Sequence, residues 1–125
     1  MGLHHGLCHV LGGSAGVPHG LANAIMLPHA LRFNLPAVGP ELAELAVALG
    51  AAAPGAPPPV AAQAVVVFID ALIAGLGLPR RLRDAGVPEA DLPRLAALAP
   101  LSGAVKNNPR PVSAADAEAI YREAF

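Results

Sequence analysis

Fourteen prolines and thirteen glycines cut this 125-residue chain into short pieces, and between the cuts the apolar residues recur three and four apart. Proline lacks the amide that a strand ladder or helix interior uses, and glycine weakens either element, so the pieces read as helices joined by turns. Leu3, Leu7, Val10 and Leu11 mark one helix face over residues 2–11. Gly12-Gly13-Ser14-Ala15-Gly16 reads as a flexible loop. Pro18 opens a second helix that carries Leu21, Ile25, Leu27 and Leu31 and ends near Asn34, ahead of Pro36. A third follows Pro40, with Leu42, Leu45, Ala46 and Leu49 on its face and Gly50 at its cap. Residues 51–59, AAAPGAPPP, read as a low-complexity surface loop. Residues 60–74 form a fourth helix, apolar nearly all round and therefore expected at the centre. Its Val65–Ile69 stretch is β-prone in isolation, and length decides for helix. Pro79–Arg83 is a turn or short helix. Pro88 opens another helix through Ala99, with Glu89 and Asp91 in its first turn, where the helix dipole favours acids. Residues 107–111 cannot be helical. Ser113, with Asp116 three residues on, caps a last helix to about Ala124. No hairpin signal or internal repeat appears. The expectation is an all-α domain over residues 1–125, a helical bundle of about seven helices.

Composition narrows the function classes. The chain is 54% hydrophobic, enough to bury a core, and its 8 Lys+Arg against 9 Asp+Glu leave a formal net charge of -1. That balance excludes a phosphate-binding surface driven by bulk charge. Aromatics at 3% with no tryptophan exclude base-stacking platforms, so no nucleic-acid partner is expected. A single cysteine, Cys8, excludes an internal disulfide framework and a four-thiolate metal site. Residues 60–78 approach the length of a bilayer span. However, Gln63 and Asp70 interrupt them, Gly75 and Gly77 end them, and no basic cluster flanks them, so a buried helix is expected and no membrane partner. Without a secretory signal at the start, the cytoplasm is the expected compartment. So apolar a composition on so small a domain also leads us to expect an exposed apolar face and a homo-oligomer.

Four of the five histidines fall in the first nineteen residues: His4, His5, His9 and His19. His5 and His9 are spaced i,i+4 and share one helix face, about 6 Å apart. A helix that folds back after Gly16 brings His19 towards them, so three imidazoles converge on one cleft. Imidazole suits Fe(II), Zn and similar borderline metals, and it titrates near neutrality. A lone i,i+4 pair is more often a solvated face than a metal site; the third histidine is what favours a site. Position 6 is glycine, so the H-E-x-x-H pattern of metalloproteases is absent. His4 faces elsewhere, and His29 reads as structural. Cys8 reads as a small buried residue. Asp70, in an apolar helix, is expected to pair with Arg80 or Arg81.

Residues His5-Gly6-Leu7-Cys8-His9-Val10-Leu11-Gly12, Val17-Pro18-His19-Gly20-Leu21-Ala22-Asn23-Ala24-Ile25-Met26-Leu27-Pro28-His29 and Arg32-Phe33-Asn34 resemble the iron-containing alcohol dehydrogenase family. The block Gly2-Leu3-His4-His5 and the run Asn108-Pro109-Arg110-Pro111-Val112 look like its maleylacetate reductase branch. Pro18-His19-Gly20 with Ala22-Asn23-Ala24 looks like the alcohol dehydrogenase branch, and Pro79–Val87 matches a family segment. The resemblance implies a dehydroquinate synthase-like C-terminal helical domain whose N-terminal nucleotide-binding domain is absent. In the family an aspartate and three histidines hold the metal. His5 and His19 match the last two of these ligands, and His9 matches a histidine beside the nicotinamide and substrate that relays a proton. The other two ligands have no counterpart here. The implied cofactors are therefore Fe(II) or Zn at a half-site, and NAD(P) only when the missing domain is supplied, for instance by a partner chain. The implied activity is reversible hydride transfer between NAD(P)H and a small alcohol, carbonyl or maleylacetate-type substrate, with the isolated domain inactive. The alternative is a non-catalytic truncated helical remnant or a helical metal-binding module.

Overall fold

Three prolines, at positions 28, 36 and 40, lie inside a single long helix of this chain. The computed structural model describes residues 2–125, and all regular structure among them is helical. The elements run α1 (Leu3–Ala15), α2 (His19–Ala48), α3 (Pro58–Ala74), α4 (Leu92–Leu98), α5 (Gly103–Lys106) and α6 (Ala114–Glu123). Tight 3-10 turns at Glu89–Asp91 and Ala99–Leu101 bracket α4. Six α-helices stand close to the seven expected. The two helices expected on either side of Pro36 are one bent helix, because Val38 alone leaves helical geometry, at φ -130° and ψ 23°. Pro36 and Pro40 flank that kink, where the missing amides do least damage. The short α5 carried no sequence signal and was not expected.

The glycine run after Leu11 also departs from expectation. Gly12, Gly13, Ser14 and Ala15 complete the last turn of α1, and only Gly16 leaves it, in the left-handed region at φ 68°. Gly16 and Val17 both donate their amides to the Leu11 carbonyl, the latter at 3.3 Å. This is the glycine-terminated cap that closes many helices. Two helical glycines cost about 2 kcal/mol relative to alanine. Leu11 and Val17, both buried in the main core, offset that loss at about 1.5–3 kcal/mol per large apolar side chain.

The main core joins α1, the first half of α2, α4 and α6, with Leu3, Leu7, Met26, Leu92, Leu95 and Tyr121 fully buried. The Tyr121 hydroxyl donates to the Leu7 carbonyl at 3.1 Å, so the largest core side chain also fixes α6 against α1. A second, smaller cluster lies between the far arm of α2 and α3, around Leu42, Ala46, Ala61, Ala62 and Val65. α3 is thus helical, as its length predicted, but it is not central. It packs on α2 by one face, while its Val60, Val67 and Leu72 are 56–62% exposed. No helix among the described residues is long and apolar enough to cross a membrane. The Ser113 cap forms as expected: its Oγ accepts from the Asp116 amide at 3.1 Å, and Asp116 accepts from the Ser113 amide at 2.9 Å. The Ser113 hydroxyl, donating to Asp116 Oδ2 at 2.6 Å, and then the Ser113 amide hold the Asp116 carboxyl below its usual range. Asp70 pairs with Arg80 at 2.6 Å.

Gly6 shows how closely α1 sits on α5. A Cβ there would run into Val105 Cγ2, with Ser102 Oγ at 3.2 Å and the Val105 backbone nitrogen at 3.3 Å. Glycine to alanine inside a helix ordinarily adds about 1 kcal/mol. Here overpacking against a β-branched side chain reverses the sign, and Gly6→Ala is expected to lower stability by about 1–3 kcal/mol. Urea unfolding of the two proteins measures this; a more stable Gly6→Ala would show that α5 stands away from α1.

Candidate metal centre

His5 and His9 lie one turn apart on α1, and His19 is the first residue of α2, which turns back across α1 after Gly16. The structure therefore brings together all three residues singled out in the sequence. Their ring centroids are separated by 4.0 Å (His5–His9), 5.9 Å (His5–His19) and 5.7 Å (His9–His19). One nitrogen from each ring lies within 4.8 Å of the other two. His5 is half-buried, whereas His9 and His19 are open to solvent. Desolvation, followed by the neighbouring imidazoles of His9, His19 and His4, lowers the pKa of His5. Both effects favour the neutral form of this ring, the form that binds a metal. No carboxylate joins the cluster among the described residues.

Two polar networks hold this geometry, and sequence reading found neither. His4, the residue before His5 on α1, donates from Nε2 to the Asn23 carbonyl at 3.1 Å, and the Asn23 side chain donates to the His19 carbonyl at 2.7 Å. His4 thus ties α1 to the first turn of α2. At the start of α1, Asn108 Oδ1 accepts the Leu3 amide at 3.0 Å and the Asn34 side-chain amide at 3.0 Å. Its own Nδ2 donates to Asn34 Oδ1 and to the Arg110 carbonyl, both at 2.7 Å. One asparagine satisfies an orphan amide of α1 and locks α1 to α2. The only trace of it in the sequence is an Asn-Pro turn, which carries no sign of its distant partner.

The remaining candidates fall where the sequence put them. Cys8 is buried and its thiol is pushed up to about 12 by desolvation, so it is inert. His29 lies away from the cluster, with Nδ1 3.4 Å from Arg32 and 3.6 Å from Glu123.

A helical domain here presents three converging imidazoles on two crossed helices, a donor set that could hold a divalent metal. Residues 1–125 match the model of the Fe-containing alcohol dehydrogenase family, C-terminal, and the chain belongs to that family. The 1,3-propanediol dehydrogenase of Klebsiella pneumoniae is 39% identical over 125 residues, all of this chain and 32% of that protein. A crystal structure of 1,3-propanediol oxidoreductase superposes with a TM-score of 0.95 at 38% identity, over all of this chain and 33% of that one. Maleylacetate reductase from Rhizobium sp. strain MTP-10005 superposes at 0.74 with 34% identity, over all of this chain and 32% of that one. The chain spans about a third of the length of these relatives.

Desolvation, then the Arg32 charge, lower the pKa of His29, against an opposing pull from Glu123. The unfolded chain, with an ordinary histidine near 6.5, therefore binds a proton more readily than the folded one. The stability this provides is full above about pH 6.5 and is lost as pH falls through the lower folded value. His5 adds to the same trend. Urea midpoints are expected to fall between about pH 7.5 and about pH 5.5, and His29→Gln to flatten that fall. An unchanged slope in His29→Gln would place the proton elsewhere.

Proposed function

We propose that this chain forms the metal-facing side of an NAD(P)-dependent dehydrogenase that interconverts a small alcohol and its aldehyde. The convergence of His5, His9 and His19 from two helices carries the reading. The closer superposition on 1,3-propanediol oxidoreductase than on maleylacetate reductase, 0.95 against 0.74 at similar identity, favours an alcohol over a maleylacetate-type substrate. His5 and His19 would hold the metal, Fe(II) or Zn, from opposite helices. A bound divalent ion supplies Lewis-acid polarisation of the substrate oxygen.

The chain's own residues supply the rest of this face. Half-buried His5 anchors the centre. Exposed His9, one helical turn away, takes the hydroxyl proton of the alcohol and hands it to solvent, work suited to an imidazole near neutral pH. A nicotinamide held by a dinucleotide-binding portion outside residues 1–125, on the same or a partner chain, would accept the hydride. The exposed apolar row of α3 supports homo-oligomerisation as part of this reading.

The chain is expected to bind one equivalent of Zn(II) or Fe(II), and His5→Ala or His19→Ala each to lose it, while His29→Ala keeps it. Binding is expected to weaken as pH falls through the imidazole range, because protons compete for the same nitrogens. Equilibrium dialysis with metal analysis reads both. Activity is tested in a chimera in which residues 1–125 replace the matching third of the Klebsiella pneumoniae 1,3-propanediol dehydrogenase. NAD-dependent alcohol oxidation that His5→Ala abolishes is expected. A folded chimera that binds metal and oxidises no alcohol would overturn the dehydrogenase reading.

A further inference from the structure

We propose that this chain carries a second ligand site, a cavity of about 310 Å³ that takes a small aliphatic carboxylate. The cavity shares no lining residue with the histidine cluster, so the inference stands whether or not a metal binds there. Four segments far apart in sequence build it: the middle of α2, the end of α3, residues 80–81 and the end of α6. Ile25 and Pro28 of α2 and Ile73 of α3 are buried and give it an apolar floor. Arg32 of α2, with Arg80 and Arg81, brings three guanidiniums around that floor. Like charges gathered so closely repel, and an anion placed among them removes that repulsion.

The charges around the cavity select the ligand. Asp70 and Glu123 are the carboxylates that line it. Arg80 is matched, since it donates to Asp70 Oδ1 at 2.6 Å. Glu123 lies 3.8 Å from Arg32, beyond hydrogen-bond reach. Arg81 has no carboxylate within 4 Å among the described residues. Burial, then the Arg32 charge, favour the neutral form of His29, which also lines the cavity. Three guanidiniums against two carboxylates therefore leave one positive charge there, on a chain of formal net charge -1. One carboxylate balances it, and a guanidinium fork such as that of Arg81 meets both carboxylate oxygens side by side. A phosphate, with about 1.5–2 negative charges near neutral pH, exceeds that balance and is repelled by Asp70 and Glu123. The volume stands at the small end of ligand pockets, about 300–1,000 Å³, which limits the apolar body to a few carbons.

His29 reports occupancy, because its Nδ1 lies 3.4 Å from Arg32 and 3.6 Å from Glu123. The test follows the histidine ring protons of the metal-free chain by NMR at constant pH, with butyrate, its neutral isostere butyramide and inorganic phosphate added in turn. Butyrate is expected to move the His29 resonance to saturation while those of His5, His9 and His19 stay in place, and phosphate to bind more weakly. Arg81→Gln is expected to weaken butyrate binding about tenfold or more, the effect of losing a hydrogen bond to a charged group. Arg83→Gln removes an equal charge from an exposed residue outside the cavity and is expected to behave like the parent. Both arginines are exposed, so their loss leaves the core intact, and circular dichroism checks that each variant folds. A parent whose His29 ignores butyrate, or responds equally to butyramide, would overturn the site. Equal weakening in Arg81→Gln and Arg83→Gln would reduce it to diffuse charge attraction and overturn it too. Phosphate binding more tightly than butyrate would overturn the carboxylate assignment.

Discussion

The crossing of α1 over the first half of α2 is the constraint on which the candidate centre depends. Gly16 sets it, by ending α1 in a conformation that other residues adopt at a cost, so that α2 starts beside the face bearing His5 and His9. Asn108 and His4 tie the start of α1 by hydrogen bonds to two points on α2, Asn34 and Asn23. Tyr121 and the leucines of α1 supply the burial beneath it. Each imidazole is positioned by a helix rather than by a loop, so the spread of the three rings follows from packing.

Local chemistry made parts of this structure legible in the sequence. The Ser113–Asp116 cap and the His5–His9 spacing act within one turn, and the pairing of Asp70 with one of Arg80 and Arg81 spans about ten residues; all were anticipated. Long-range packing hid the rest. Gly12 and Gly13 look like a loop because glycine disfavours helix, yet the burial of Leu11 and Val17 keeps α1 intact to Ala15. Pro36 and Pro40 look like a break, yet contacts with α3 hold both arms of α2 and leave only a kink at Val38. α3 is apolar all round and still peripheral, because hydrophobicity does not specify which neighbour covers a face. Asn108 gives no local signal for a partner 74 residues away.

The three-histidine cluster was legible as a candidate, and its internal order was not. The family resemblance separates His9, as proton carrier, from His5 and His19, as ligands. The folded chain puts His9 closest to His5. The i,i+4 spacing on one helix fixes that distance, whereas the His5–His19 distance depends on how two helices cross.

Histidine-selective nitrogen NMR of the chain, with Zn(II) added stepwise, tests the central claim that the α1–α2 crossing builds one shared centre. The account predicts that the ring resonances of His5, His9 and His19 move together and stop at one equivalent of metal, while those of His4 and His29 stay in place. Resonances that shift independently, or His5 and His19 responding to different ions, would contradict it.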